Sequence, residues 1–372
     1  MSSNFNHFQF LITNKKEKYS VLNIFNFKLK IKYFIKSIIL KKKIKIIIFI
    51  IFSFFLFFFN NINKKRFFFF YDKEKYYNNY SLFIYDYIYD SPKPSVGNIG
   101  DYIQSLAALQ YFPKNCSLNL VDRDNIEFYH GPKSKIIMNG WYNIRKGNRF
   151  ISKNLSPIYI SYHISNLQNI DSYTINNLKK YQPIGCRDTN TQKYLQNLGI
   201  NSYFSSCLTT TLDIDFSVND SERTNEIIFI DFKFGIFPEA DNFIKSLKAY
   251  DFNNITFIQH NFSLSIPHRK RFKLAKRLLE RYARAKLVIS TRIHGSLPCL
   301  AFNTPNIFVN KGYHRRFPGI YELLNTIGNN SKGVFEINVI LNNKSLVINP
   351  NKYLKYAKKL KEDVKKFINN IP

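Results

Sequence analysis

Three short stretches of this sequence combine residue types and spacing that could do chemistry. Residues 288–296 read V-I-S-T-R-I-H-G-S. An apolar strand ends there, an Arg and a His follow two apart, and a helix begins. In open α/β sheets, ligands bind beyond the carboxyl ends of strands. Arg292 offers a planar fork for a carboxylate or phosphate, and His294 is the kind of side chain that titrates near neutral pH. The N–H groups of Gly295 and Ser296 at the helix start could add to an anion cradle. The bland alternative is a surface Arg and a His satisfied at a cap. Residues 97–101, G-N-I-G-D, form a glycine-containing turn running into a helix. Either Asp101 and Gln104 meet a substrate hydroxyl there, or Asp101 simply caps the helix. In Gly185-Cys186-Arg187-Asp188 a charged pair sits at a strand end, as part of a site or as a local salt bridge.

These stretches need elements to hold them, and from residue 82 the pattern alternates between strands and helices. Strands are expected at 82–89, 136–138, 157–163, 180–186, 226–231, 255–260, 285–290 and 306–309. Helices are expected at 101–111, where Ile103, Leu106, Ala107 and Gln110 recur at helical spacing, and at 189–198, 243–247, 269–284, 295–302 and 353–368. Such alternation argues for α/β layers with mostly parallel sheets. Two series lie either side of the polar segment 216–223. They predict an N-terminal α/β domain at 82–215, a C-terminal one at 225–350, and a Lys-rich terminal helix at 351–372.

The chain has 372 residues, 45% of them apolar and 17% aromatic, which excludes a wholly disordered polymer. Its four cysteines form no C-x-x-C pair, and His163, His260, His294 and His314 are scattered without ligand spacing, so no metal site is read. The formal net charge is +30, from 55 Lys+Arg against 25 Asp+Glu. No RNP, zinc-finger or basic-zipper signature accompanies it, so nucleic acid is not read as a partner. A lysine- and asparagine-biased surface accounts for much of the charge.

The N-terminal part reads differently. Residues 46–59 are apolar except for Ser53, with Lys41–Lys43 and Lys45 before them and Lys64, Lys65 and Arg66 after. With their edges they read as a transmembrane anchor at 44–61, the alternatives being a cleaved signal peptide and a buried core helix, with a basic segment at 1–43 before it and a stem at 62–81 after it. Lys and Arg are denser before the span, which predicts a cytosolic N-terminus in a single-pass type II arrangement. That would place the bulk of the chain in a secretory-pathway or Golgi lumen in a eukaryote, or at the inner membrane in a bacterium.

At these same stretches the chain resembles the polysaccharide pyruvyl transferase family. G-N-I-G-D-Y-I-Q-S-L-A-A-L at 97–109 is similar to its N-x-G-D-x-x-Q helix start, and M-N-G-W-Y at 138–142 to its N-G-W segment. P-I-G-C-R-D-T-N-T-Q-K-Y-L-Q-N-L-G-I at 183–200, S-C-L-T-T-T-L at 206–212 and the run at 269–309 resemble further elements in order, over about residues 82–325. Thr210 and Asn303 depart from the family's pattern without removing a candidate group. The resemblance implies two Rossmann-like domains facing a cleft, in a glycosyltransferase B-like architecture. It implies transfer of pyruvate from phosphoenolpyruvate onto two hydroxyls of one sugar, giving a cyclic ketal, with a glycan or glycolipid acceptor. No cofactor is implied beyond that donor co-substrate. By the resemblance Arg187, Arg292 and His294 contact the donor. From the chemistry that this donor requires, His294 is the candidate acid or proton source for the phosphate, and Asp101 the candidate acceptor-side base or hydroxyl orienter, with Asn98, Gln104 and Asn139 also on the acceptor side. A nucleotide-sugar glycosyltransferase and an inactive glycan-binding homologue are the alternatives.

Overall fold

The computed structural model describes residues 79–87, 96–142, 151–165, 170–212, 218, 222–310, 312, 316–330 and 332–370. All of them fall in one compact unit, Tyr71–Pro372. The basic segment, the anchor at 44–61 and His314 lie outside the described residues. No described helix is long and apolar enough to cross a membrane. The stem expected at 62–81 ends earlier than read, because Asn79–Ser81 already belong to the first strand.

The N-terminal half carries β1 (Asn79–Ile84), β2 (Val96–Asn98), β3 (Ser117–Asp122), β4 (Ser134–Ile137), β5 (Gly140–Tyr142), β6 (Leu155–Ile158), β7 (Tyr162–Ile164), β8 (Ile184–Cys186) and β9 (Ser202–Phe204). Its helices are α1 (Ile99–Leu109), α2 (Ser172–Lys180) and α3 (Thr189–Asn197). Two parallel sheets result, ordered β3-β1-β4-β6 and β5-β7-β8-β9. They are the two ends of one broken layer. β4 runs into β5 through Met138 and Asn139, and β6 into β7 through 159–161. The Met138 amide reaches Ile158 O and the Gly185 amide reaches Tyr159 O across the break. The segment expected as one strand at 157–163 is therefore two, parted where Ser161 takes a positive φ of 54°. The strand expected from Lys180 begins only at Ile184, since Lys179 and Lys180 close α2.

The C-terminal half carries β10 (Ile227–Ile230), β11 (Ile255–Ile258), β12 (Asn261–Ser263), β13 (Leu287–Ser290), β14 (Asn306–Asn310), β15 (Thr326–Asn329) and β16 (Phe335–Asn338). Its helices are α4 (Pro238–Ser246), α5 (His268–Arg284), α6 (Ile293–Ala301) and α7 (Leu354–Asn369). The sheet order is β11-β10-β13-β14-β15-β16, parallel but for the last strand. β10, β13 and β14 are buried along their whole length. Uninterrupted apolar strands are what a parallel sheet covered on both faces requires. The expected mixed α/β class with parallel sheets is what the chain forms.

Two features tie the halves together and so place the site. β2 pairs antiparallel with β12, matching Asn98 with Asn261 and Gly97 with Phe262. The Ile99 amide then donates to His260 O at 2.8 Å. Behind this seam, α5 turns Phe272, Ala275, Leu279 and Tyr282 inward at helical spacing. Its Arg271 is buried and donates to the carbonyls of Tyr85, Leu264 and Ile266 and to the Tyr102 hydroxyl. A buried guanidinium is tolerable only when its donors are satisfied in this way. Here it staples the end of β1 and the face of α1 to α5.

Candidate active site

The carboxyl ends of β1, β3, β10, β13 and β14 and the start of α1 surround a cleft of about 560 Å³. Asn98, Asp101, Gln104, Arg187, Arg292 and His294 all line it. Stretches separated by nearly two hundred residues therefore meet at one wall. Four residues not singled out from the sequence join them: Tyr87, Arg123, Asp231 and Arg316. Trp141 and His260 also face the cleft.

The local geometry of α1 corrects the reading of its motif. The N-cap is Asn98, whose side chain accepts from the Gly100 amide at 3.1 Å, and not Asp101. With the cap supplied one turn earlier, the Asp101 carboxylate is left for the cleft. The Tyr87 hydroxyl donates to its Oδ2 at 2.7 Å and Gln104 Nε2 reaches its Oδ1 at 3.3 Å. Neither glycine of the motif makes a turn by positive φ. A Cβ on Gly97 would meet the Phe262 ring at 2.3 Å, and one on Gly100 would meet His294 Nδ1 at 2.8 Å. Both are glycine because the other half of the protein comes that close. Tyr87 has a φ of 55°, a strained value for a bulky residue. Its hydroxyl also accepts from the Asn98 amide at 3.0 Å.

Burial raises the Asp101 carboxyl above the ordinary aspartate value, against the opposing pull of Arg123, the Tyr87 hydrogen bond and Arg187. Arg123 is itself buried. It is held by a two-pronged contact to Asp124, at 3.0 and 3.2 Å, and lies over the rings of Tyr85, Tyr87 and Trp141. Burial opposes its charge, but Asp124 and Asp101 outweigh that and keep it firmly protonated.

Arg187 is 2% exposed and extends Nη1 toward Gln104 Oε1 at 3.4 Å, while its Nε has no partner among the described residues. It does not pair with the neighbouring Asp188, as a local salt bridge would. Asp188 instead caps α3 through the Thr191 amide and receives His163 Nδ1 at 2.6 Å. Burial carries His163 down to about 4 in spite of that carboxylate, so the ring is neutral and Nδ1–H is the donor. The Asp188 side is thus saturated and Arg187 is turned to the cleft.

Arg292 lies at the end of β13 as expected, its Nε paired with Asp231 Oδ2 from the end of β10. His294 is buried, with Nε2 3.8 Å from Cys207 Sγ. Burial first, then Arg187, His260, Arg316 and Arg292, hold it well below the ordinary histidine value. Its imidazole is therefore held toward the neutral form by its surroundings. Arg316 is lowered to about 10 by burial and by Arg187 and Arg292.

Three sequence candidates occupy other places. The Gly295 and Ser296 amides both donate to Arg292 O, at 2.9 and 3.3 Å, so the first turn of α6 spends on itself the donors expected to cradle an anion. Gly295 is glycine because a Cβ would strike Ser290 Oγ at 2.4 Å and Ile230 at 2.7 Å, where the helix packs on its sheet. Asn139 is buried and donates to Gln104 O at 2.9 Å. It buttresses α1 from behind rather than facing an acceptor.

The family model for polysaccharide pyruvyl transferase matches residues 98–312, more than half of the chain and the segment holding all the cleft residues but Tyr87, Arg316 and Phe317. The chain belongs to the polysaccharide pyruvyl transferase family. No curated protein matches it. Among solved structures it is similar to an uncharacterized protein of Klebsiella pneumoniae subsp. pneumoniae NTUH-K2044, at 16% identity over 63% of this chain and 85% of that one, with a TM-score of 0.37. It is also similar to S. aureus MnaA solved with UDP, at 10% identity over 79% and 98% of the two chains, with a TM-score of 0.36. Both are distant likenesses.

Proposed function

We propose that this family member uses phosphoenolpyruvate as donor and forms a cyclic pyruvate ketal on two hydroxyls of one sugar in a glycan. One observation carries the reading. Arg187, Arg292 and Arg316 line one cleft, and burial, reinforced by repulsion from Arg187 and Arg292, depresses Arg316. Such an arrangement is costly without an anion. A ligand bearing both a phosphate and a carboxylate relieves it.

Carbon 3 of the enol gains a proton, and the first sugar oxygen bonds to carbon 2. Phosphate then leaves, and the second sugar oxygen takes its place. The two hydroxyl protons end on carbon 3 and on phosphate. Asp101, raised by burial, accepts the first hydroxyl proton. Gln104, touching both Asp101 and Arg187, fixes the base relative to the donor. Phosphate departure is eased by guanidinium groups already in place. An anionic donor beside His294 offsets the cationic neighbours that depress it, so the ring gains a proton on binding and can then supply it. We also infer the glycosyltransferase B-like relation of the two halves, and membrane attachment through 44–61, which carbonate extraction of membranes from expressing cells tests.

Thermal stability titrations of the full chain test the donor assignment. A ligand at a hundredfold excess over its dissociation constant stabilises by about 2.7 kcal/mol. Phosphoenolpyruvate should raise Tm and nucleotide diphosphate sugars should not, with the effect lost in Arg187→Ala and Arg292→Ala. Stabilisation by a nucleotide sugar alone would replace this reading with a glycosyltransferase.

A further inference from the structure

A second cavity, of about 610 Å³, opens beside the first. Asn310, at the carboxyl end of β14, lines both. Phe317 faces the first and the next residue, Pro318, faces the second. A ridge of aromatic rings runs from one to the other. Phe308 and Phe317 lie in the first wall, Tyr321 in the second, and the Tyr321 ring packs on both, at 6.2 and 5.7 Å between centroids. Asn310 closes β14, and the rest of the floor runs along β15 and its antiparallel partner β16 at the edge of the sheet.

The chemistry of the two cavities differs sharply. The first holds four arginines. Of ionisable groups, the second holds Glu322, Glu336 and Lys352, which makes it poorly suited to a nucleotide or an acidic polymer. Its remaining polar lining is mostly amide, and part of it is pre-set. Asn330 and Asn338 both donate to the Glu336 carboxylate. Asn310 donates to Asn329 O and accepts from the Gly312 amide at 3.2 Å. Exposed Ile337 and Ile340 stand among these groups. Fixed amide and carboxylate groups alternating with aromatic and aliphatic faces suit the hydroxyls and C–H faces of an uncharged sugar.

We infer that this cavity is a subsite for the glycan beyond the sugar being modified, and that it takes neutral sugar units. The inference rests on the proposed acceptor reading of the first cleft. It assigns the enzyme an oligosaccharide substrate that spans both cavities past Asn310, with the donor's charge confined to the arginine side.

The test compares neutral galactose, glucose and mannose with their tetrasaccharides, bound to the purified full chain in detergent and followed by saturation-transfer NMR, with and without phosphoenolpyruvate. For at least one series the tetrasaccharide should bind about tenfold more tightly than its monosaccharide, equivalent to about 1.4 kcal/mol. Glu336→Ala and, separately, Tyr321→Ala should bring that ratio close to one. Glu336 is exposed on an edge strand, so its variant folds even if the Tyr321 variant does not. No tetrasaccharide advantage in any series, an advantage that survives Glu336→Ala, or tighter binding of an acidic tetragalacturonate would overturn the assignment. If the advantage is found but no phosphate is released from phosphoenolpyruvate, the subsite stands and the ketal reaction falls. Phosphate release with no advantage for length gives the reverse.

Discussion

Replacing Gly100 by Ala adds one methyl group where the halves of the protein meet. Within a helix, and with no positive φ to protect, this exchange ordinarily stabilises by about 0.4–1 kcal/mol. Here the added Cβ would lie 2.8 Å from His294 Nδ1, 3.1 Å from His294 Cβ and 3.2 Å from Asn98 Oδ1. Ordinary contact begins at 3.4 Å, so the imidazole must retreat by 3.4 − 2.8 = 0.6 Å, and both the cap and the seam resist. A misplacement of about 1 Å at reacting groups costs on the order of a hundredfold. A loss of about tenfold in affinity for phosphoenolpyruvate is therefore expected, with a Tm no higher than wild type. Calorimetric titration of Gly100→Ala, His294→Ala and the double variant measures it. If the methyl acts through the imidazole, most of its cost disappears in the His294→Ala background, which keeps only the Cβ contact at 3.1 Å. A Gly100→Ala protein that is more stable and binds the donor as before, or a cost undiminished in the His294→Ala background, would show that the methyl does not act through the imidazole.

Three further outcomes follow from the same geometry. Because arrival of an anion raises the depressed His294, donor binding should take up a proton, and affinity should rise as pH falls. Calorimetry in buffers of different ionisation enthalpy above pH 7.5, where a phosphate with a second pKa of about 6 is already fully charged, should show that uptake in wild type and not in His294→Asn. The Tyr87 hydrogen bond holds the Asp101 carboxyl down, so Tyr87→Phe should raise it and move the acidic limb of the pH–rate profile to higher pH; an unmoved limb would remove Asp101 as the base. His163 falls from an ordinary 6.5 to about 4 on folding. The unfolded chain thus binds the extra proton, and stability should drop by up to about 3 kcal/mol between pH 6.5 and 4. Denaturant unfolding across that range should show a shallower pH slope in His163→Asn, and an equal slope would place the titrating group elsewhere.

Much of this site was legible in the sequence, and for a consistent reason. Arg292, His294, Arg187 and Asp101 each follow an apolar strand or open a helix, and parallel sheets put such positions on one rim. The same rule could have singled out Asp231, which closes the clean apolar strand E-I-I-F-I-D, and Arg123, which follows Asp122 at the end of β3. Arg316 has no such mark, because it ends the basic run K-G-Y-H-R-R at 311–316, and only folding brings it near Arg187. What could not be read was which donors were already spent. Gly295 and Ser296 look like an anion cradle until their amides are found on Arg292 O. Gly97 and Gly100 look like a ligand-binding turn until Phe262 and His294 are seen against them. Those facts depend on contacts between halves distant in sequence, which local pattern does not encode. The same holds for the strand broken at Ser161, where apolar alternation continues through a change of direction.

The central claim is tested most directly by product analysis. The full chain would be incubated with phosphoenolpyruvate and a neutral oligosaccharide that it binds, with phosphate followed by phosphorus NMR and the glycan by mass spectrometry and carbon NMR. One phosphate should be released per glycan modified, with a product carrying a methyl group and a quaternary ketal carbon bonded to two oxygens of one sugar. Arg187→Ala and Asp101→Asn should both abolish it. A product with an enol ether or a single ester linkage, or glycan extension from a nucleotide sugar in the same assay, would contradict it.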